Sequence, residues 1–229
     1  MLGDAARTSV PTEILDEIEG YELLSELGIS HAAACAVAID GGRPNPALFP
    51  AAVKILGRNI AHKTELGGVV LGVTSVGDFE AAAKRIRQSV TQRAPHLAAD
   101  RVVVQRMAEG AIGEVLLGYR VDAQVGALIL VAAGGTLTEL LRDRSIRMAP
   151  VDIDEARAML SELRSSPLLT GFRGRPSGDI DALAKAIAAL STLAARPDVE
   201  EVEINPLMIM PKGKGVLAVD VVARVQGAR

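Results

Sequence analysis

Residues 199–225 read VEEVEINPLMIMPKGKGVLAVDVVARV, with Glu201, Glu203 and Asn205 at alternate positions and Asp220 inside the apolar run LAVDVV. Side chains alternate along an extended chain, so the first three share one face. A carboxylate among apolar residues is costly to bury alone. Oxygens from two adjacent strands suit a hard cation such as Mg²⁺, which keeps few protein ligands and completes its shell with phosphate or water. A surface hairpin with one acid turned to water fits the same pattern.

Lys54 interrupts the apolar run AAVKILG. A lysine there can meet a phosphate as a point charge, or can sit on an edge strand and discourage aggregation. His62 and Lys63 lie just ahead of Gly67 and Gly68 in NIAHKTELGG. Glycines let backbone N–H groups approach phosphate oxygens. A neutral imidazole can act as a nucleophile toward a phosphoryl group, although a lone histidine is more often structural or merely exposed. Gly134-Gly135, followed by Thr136 and Glu139, fits either a phosphate turn or simple turn geometry. The run GFRGR at 171–175 fits an anion, a partner surface or a solvated loop. There is no Walker A pattern, which excludes a P-loop nucleotidase.

The elements that must carry these residues are mixed. Leu15, Ile18, Leu23, Leu24 and Leu27 recur at helical spacing before Gly28, and residues 29–39 read as extended. Residues 51–56 and 67–73 are strands. Ser75 caps a helix to Arg93 whose stripe is Phe79, Ala83, Ile86 and Val90. Strands follow at 101–107, 114–121 and 126–133. Helical character is expected over 136–144, 153–165 and 180–195, with a loop at 167–176. A last strand pair spans 200–209 and 215–222 around a Pro-Lys-Gly-Lys-Gly turn. Antiparallel hairpins interleaved with helices imply an α+β fold rather than one doubly wound sheet.

Composition narrows the functions. Hydrophobic residues make up 49% of the 229 and charged residues 23%, as in a packed soluble domain. Aromatics are 2%, which disfavours holding a base between rings, and the net charge of -3 argues against non-specific nucleic-acid binding. The single cysteine, Cys35, excludes an internal disulfide. No apolar run reaches the roughly 18 residues of a membrane span, and the first residues lack a signal-peptide pattern. A cytoplasmic protein is expected.

Taken in order, AAVKILGRNIAHKTELGGVVLGV, VVVQRMAEGAIGEVLLGYRVD, AAGGTLTELLRDRSIRMAP, SSPLLTGFRGRP and VEEVEINPL with VLAVD resemble the ATP-grasp β subunit of ADP-forming acetyl-CoA (acyl-CoA) synthetases, relatives of succinyl-CoA synthetase. The resemblance runs from about Ala51 to Arg224. It implies an ATP-grasp fold of two lobes with ATP or ADP and Mg²⁺ between them. The expected organisation is an N-terminal helix and connector over 1–44, a first lobe over 45–104 and a second over 105–229. By the same resemblance Lys54 contacts nucleotide phosphates, and His62 in the HK-x-x-x-GG loop carries a phosphoryl group. Gly67 and Gly68 belong to that loop, Gln105 to Met107 form the hinge that reads adenine, and Glu114 lies near the ribose. Glu203 orients or protonates the phosphohistidine, and Asn205 and Asp220 are the Mg²⁺ ligands. The implied reaction is acyl-CoA + ADP + phosphate ⇌ carboxylate + CoA + ATP, with CoA held by a separate α subunit. Two other functions fit the residues: an ATP-grasp carboxylate ligase that works through an acyl phosphate without phosphohistidine, and a nucleotide-sensing subunit.

Overall fold

The computed structural model describes residues 12–60, 62–135 and 142–227. A short strand, Thr12–Ile14 (β1), leads into helix Glu17–Glu26 (α1). Asp16 caps α1 by accepting from the Ile18 and Glu19 amides, while the Glu19 carboxylate accepts from the Asp16 amide at 2.8 Å. This reciprocal capping satisfies donors that a helix start otherwise leaves without partners. The buried face of α1 carries Glu17, Gly20, Tyr21, Leu23 and Leu24. Gly20 sits against β-strand residue Val221; a Cβ there would lie 2.7 Å from the valine Cγ1. The helix therefore approaches more closely than any larger residue would allow.

The next strands are Ala34–Ala38 (β2), Ala51–Leu56 (β3), Val69–Val73 (β4) and Arg101–Arg106 (β5). They form an antiparallel sheet in the order β2-β5-β3-β4. Helix Val76–Arg93 (α2) covers it, burying Phe79, Ala83, Ile86 and Val90 as the periodicity predicts. This sheet takes in residues 34–38, upstream of the expected boundary at 45, and its strand β5 runs past 104 to Arg106. Backbone pairing of Ala34 with Gln105 and of Ala38 with Arg101 sets both limits.

The second sheet holds β1 with Gly113–Asp122 (β6), Gly126–Ala133 (β7), Arg144–Met148 (β8), Val199–Ile209 (β9), Val216–Ala218 (β10) and Val221–Gln226 (β11). Its order is β1-β11-β9-β6-β7-β8, with β10 also paired to β9. Helices Ile153–Glu162 (α3) and Ile180–Ser191 (α5) pack into its core, and the turn Ser166–Leu169 (α4) replaces part of the expected loop. Of the helix expected over 136–144, residues 136–141 lie outside the described residues, and Arg144 begins a strand. The two sheets with their helices give the mixed α+β architecture expected from the sequence. Among the described residues no helix is long and apolar enough to cross a membrane.

The N-terminal segment straps the two sheets together. β1 pairs with β11 of the second sheet. Arg58, just past β3 of the first, meets Glu13 at 2.9 Å and Glu19 at 2.5 Å, and Arg101 meets Asp16 at 3.0 Å.

Candidate active site

Two adjoining clefts lie where the sheets face each other. The larger, about 370 Å³, is lined by Lys54, Gln105, Met107, Glu114, Asn205 and Asp220, with Leu71 and Met208 among its apolar walls. The smaller, about 250 Å³, is lined by His62, Lys63, Glu65, Glu203, Asn205 and Asp220. Thr64, Asn205 and Asp220 border both. Of the site residues that the resemblance implies, Lys54, His62, Gln105, Met107, Glu114, Glu203, Asn205 and Asp220 therefore border one depression, while Gly67 and Gly68 do not line it.

Lys54 is not an edge-strand lysine. Its strand β3 lies between β5 and β4, all six of its residues are buried, and Lys54 pairs with Val103 on one side and Val69 on the other. Its Nζ donates to Glu17 Oε1 at 2.7 Å and to the Val219 carbonyl at 2.5 Å. Lys63 reaches the same acid from the opposite side: its Nζ lies 2.9 Å from Glu17 Oε2 and 2.7 Å from Asp220 Oδ1. The Glu17 side chain is wholly shielded from solvent, while those of Lys54 and Lys63 are 7% and 9% exposed. Tyr21 donates to Glu17 Oε1 at 2.7 Å and accepts from Gln105 Nε2.

Charge state follows from this packing. Burial alone would raise the Glu17 carboxyl, but the ammonium groups of Lys54 and Lys63 outweigh it and hold the acid below its ordinary range. Burial would lower Lys63, and the charges of Glu17 and Asp220 more than offset it, so its ammonium is held above the ordinary lysine value. Burial and then the Glu17 charge push the Tyr21 phenol well above its usual value. Lys54, Lys63, Glu17 and Asp220 thus form one charged network at the wall of the cleft.

β9 and the chain between β10 and β11 supply the oxygen face. Val202 and Ile204 point into the core, leaving Glu203 and Asn205 outward, as alternation predicts. Asp220 is not inside a strand: it occupies the break between β10 and β11, where the Asn205 amide donates to its carbonyl at 3.2 Å. Asn205 turns its amide nitrogen to Glu203 Oε1 at 3.2 Å, which leaves its carbonyl oxygen for the cleft. Among the described residues no three His, Cys, Asp or Glu side chains converge as a metal cage. Asp220 with the Asn205 oxygen instead fits an ion that draws the rest of its shell from phosphates and water.

His62 has φ 53°, a left-handed conformation uncommon for non-glycine residues and concentrated at functional sites. Its ring is 76% exposed and its Nδ1 lies 3.7 Å from Glu65 Oε1. Glu203 borders the same cleft but hydrogen-bonds Asn205. Gly67 and Gly68 do not offer their N–H groups to a phosphate here. Those amides donate to the Thr64 and Lys63 carbonyls at 3.0 and 2.8 Å. The second glycine serves packing, because a Cβ at Gly68 would lie 2.6 Å from Ile55 Cγ2.

A sequence profile for the ATP-grasp domain matches residues 6–225. The chain belongs to the ATP-grasp family. Among curated relatives, this ATP-grasp domain is 34% identical over 170 residues to acetate–CoA ligase [ADP-forming] I of Archaeoglobus fulgidus, covering 74% of this chain and 24% of that protein. It is 32% identical over 161 residues to the β subunit of acetate–CoA ligase [ADP-forming] I of Pyrococcus furiosus, covering 69% of this chain and 68% of that one. The chain spans about a quarter of the length of the first of these relatives. Acetyl-coenzyme A synthetase 1 of Ca. Korarchaeum cryptofilum, solved with coenzyme A and Ca-AMPCP, superposes with a TM-score of 0.81 at 26% identity, covering 93% of each chain. The same synthetase solved with Mg-AMPPCP, its phosphohistidine segment pointing towards the nucleotide binding site, gives 0.72 at 27% identity with 91% of each chain covered.

Two groups behind the charged wall of this ATP-grasp domain's depression, Glu17 and Tyr21, escaped the sequence reading, which named Lys63 beside His62 without its buried partners. Glu17 passes for an ordinary helix-start acid. Its spacing to Tyr21 and Leu24, four and then three residues, nevertheless places a carboxylate on the buried stripe.

Proposed function

We propose that this chain is the nucleotide-binding part of an ADP-forming acyl-CoA synthetase, passing a phosphoryl group between a phosphohistidine and ADP. The observation that carries the proposal is the convergence of His62, Lys54, Asn205 and Asp220, distant in sequence, on one depression between the two sheets. Gln105 and Met107 border its larger part, where the adenine would lie beside the hinge, and Glu114 stands where the ribose would lie. Lys54 is positioned to neutralise charge on the phosphates. Asp220 and Asn205 would hold Mg²⁺, which when bound adds neutralising charge at the phosphate oxygens. In the transfer, a terminal oxygen of ADP attacks phosphorus. The P–N bond to His62 breaks, and its electron pair returns to the imidazole nitrogen. Glu203 and Glu65 are carboxylates beside this cleft, and Glu65 Oε1 lies 3.7 Å from the ring Nδ1, where they would orient the imidazole. The acyl and CoA chemistry belongs to a CoA-binding α subunit or α-like region, a division suggested by the likeness to a Pyrococcus furiosus β subunit.

His62→Ala tests the carrier role. Incubated with ATP and the CoA-binding partner, the wild-type chain should acquire an acid-labile, base-stable phosphate, and the variant should not, while ADP binding stays within about twofold. Normal turnover by the variant would refute the carrier and favour a ligase working through an acyl phosphate alone.

A further inference from the structure

The buried carboxylate of Glu17 has no part in the chemistry above, yet it touches both lysines of the depression. It arrives from α1, outside the loops that line the cleft. Gly20, one turn further along, permits that arrival by letting α1 close onto Val221, the residue after Asp220. Its two oxygens divide their work: Oε1 takes Lys54 and the Tyr21 hydroxyl, and Oε2 faces Lys63. A buried ion pair adds little stability over an apolar replacement of the same shape. Three groups held on one shielded acid, at the rim of a phosphate-sized cleft, point to a use beyond stability.

Lys63 gives that use. It follows His62 directly, but the two residues face opposite ways. The His62 ring is 76% exposed toward the cleft, and the Lys63 side chain is 9% exposed and bound at its tip by Glu17 and Asp220. The segment is also closed by its own backbone: His62 O accepts from the Glu65 amide at 3.0 Å and Lys63 O from the Gly68 amide at 2.8 Å. Lys63 is thus the inward root of a loop whose outward tip is His62. Gln105, through Tyr21, ties the same acid to the strand that borders the nucleotide cleft.

We propose that Glu17 is a positioning residue for phosphoryl transfer. Its shared carboxylate fixes the Lys54 ammonium and, through Lys63, clamps the His62 loop in its nucleotide-facing place. The assignment rests on the carrier role argued for His62, but its first readout does not. Glu17→Gln and Lys63→Met, made in the full chain, should each raise amide exchange of residues 62–68 at least tenfold more than that of β9; the double variant should add nothing to Lys63→Met, which already removes the Lys63 end of the clamp. Exchange over 62–68 that is unchanged, or raised no more than that of β9, would overturn the proposal. Lys63→Met leaves the Glu17–Lys54 pair intact and decides the matter if Glu17→Gln does not fold. In the assembled enzyme Glu17→Gln should lower kcat at least tenfold while KM for ADP stays within twofold; an unchanged kcat would also overturn it. If His62→Ala keeps full turnover while the exchange result holds, the carrier role fails and the clamp stands.

Discussion

Glu17→Gln also carries a stability prediction whose size can be worked from the contacts. The substitution keeps the side-chain shape and its hydrogen bond with Tyr21 but removes the charge that Lys54 and Lys63 share. Lys63 retains Asp220 at 2.7 Å, whereas Lys54 is left with the Val219 carbonyl alone. Stripping one partner from a buried ion pair costs about 3–5 kcal/mol, chiefly because the other charge stays buried. For a chain of this size each kcal/mol moves Tm by about 2–4 °C, so the midpoint should fall by about 6–20 °C. Lys54→Met is milder, about 1–3 kcal/mol, since Glu17 keeps Lys63 and Tyr21. The double variant Glu17→Gln/Lys54→Met leaves a neutral arrangement, Lys63 with Asp220. It should be no less stable than Glu17→Gln alone, a coupling at least as large as the Lys54→Met cost, about 1–3 kcal/mol. Urea unfolding of the four proteins at pH 7 measures the cycle. Losses that add to within about 0.5 kcal/mol would show that the two charges do not depend on one another, and the account of the buried network would be refuted.

Two further outcomes follow from the same site. Because the folded Glu17 carboxyl lies below its ordinary value, its ionised form contributes stability above the unfolded range near about 4.3 and loses it as acid takes the pH down through the lower folded value. Wild-type stability should therefore fall more steeply than that of Glu17→Gln below about pH 4.3, and parallel curves would contradict the shift. Asp220→Asn should raise the Mg²⁺ concentration needed for nucleotide binding by about tenfold, equivalent to ~1.4 kcal/mol, in a calorimetric titration; an unaltered titration would remove Asp220 from the metal.

Local periodicity made much of the frame legible. The stripe Phe79, Ala83, Ile86 and Val90 is the buried side of α2, and Glu203 and Asn205 do share the outward face of β9. Strand β8 was not legible, because RSIRM alternates a buried Ser145 with a half-exposed Ile146 and reverses the usual pattern. Its inward polarity is explained by Glu162, which accepts from the Ser145 hydroxyl and pairs with Arg147. The local bonding of Gly67 and Gly68 was not legible for a related reason. A glycine pair beside a cationic loop suggests an anion, but nothing local tells that Ile55 and the Lys63 carbonyl already fill the space.

Glu17 shows where the boundary between the two kinds of information falls. Its partners lie 37 and 46 residues away in sequence, on a strand and a loop of the other sheet, and no spacing rule connects them. An acid in a first helical turn is ordinarily accounted for by the helix dipole. Two local oddities still set this one apart. It lies four residues before Tyr21 and seven before Leu24, on the face that must be buried, and Gly20 in the helix interior forfeits about 1 kcal/mol of propensity unless it allows a close contact. A buried acid and a close-packing glycine on one helical face together call for a hydrogen-bonding or cationic partner on the surface the helix meets. The helical spacing is in the sequence; that Glu17 is buried and that both lysines of the phosphate cleft meet it can be read only from the fold.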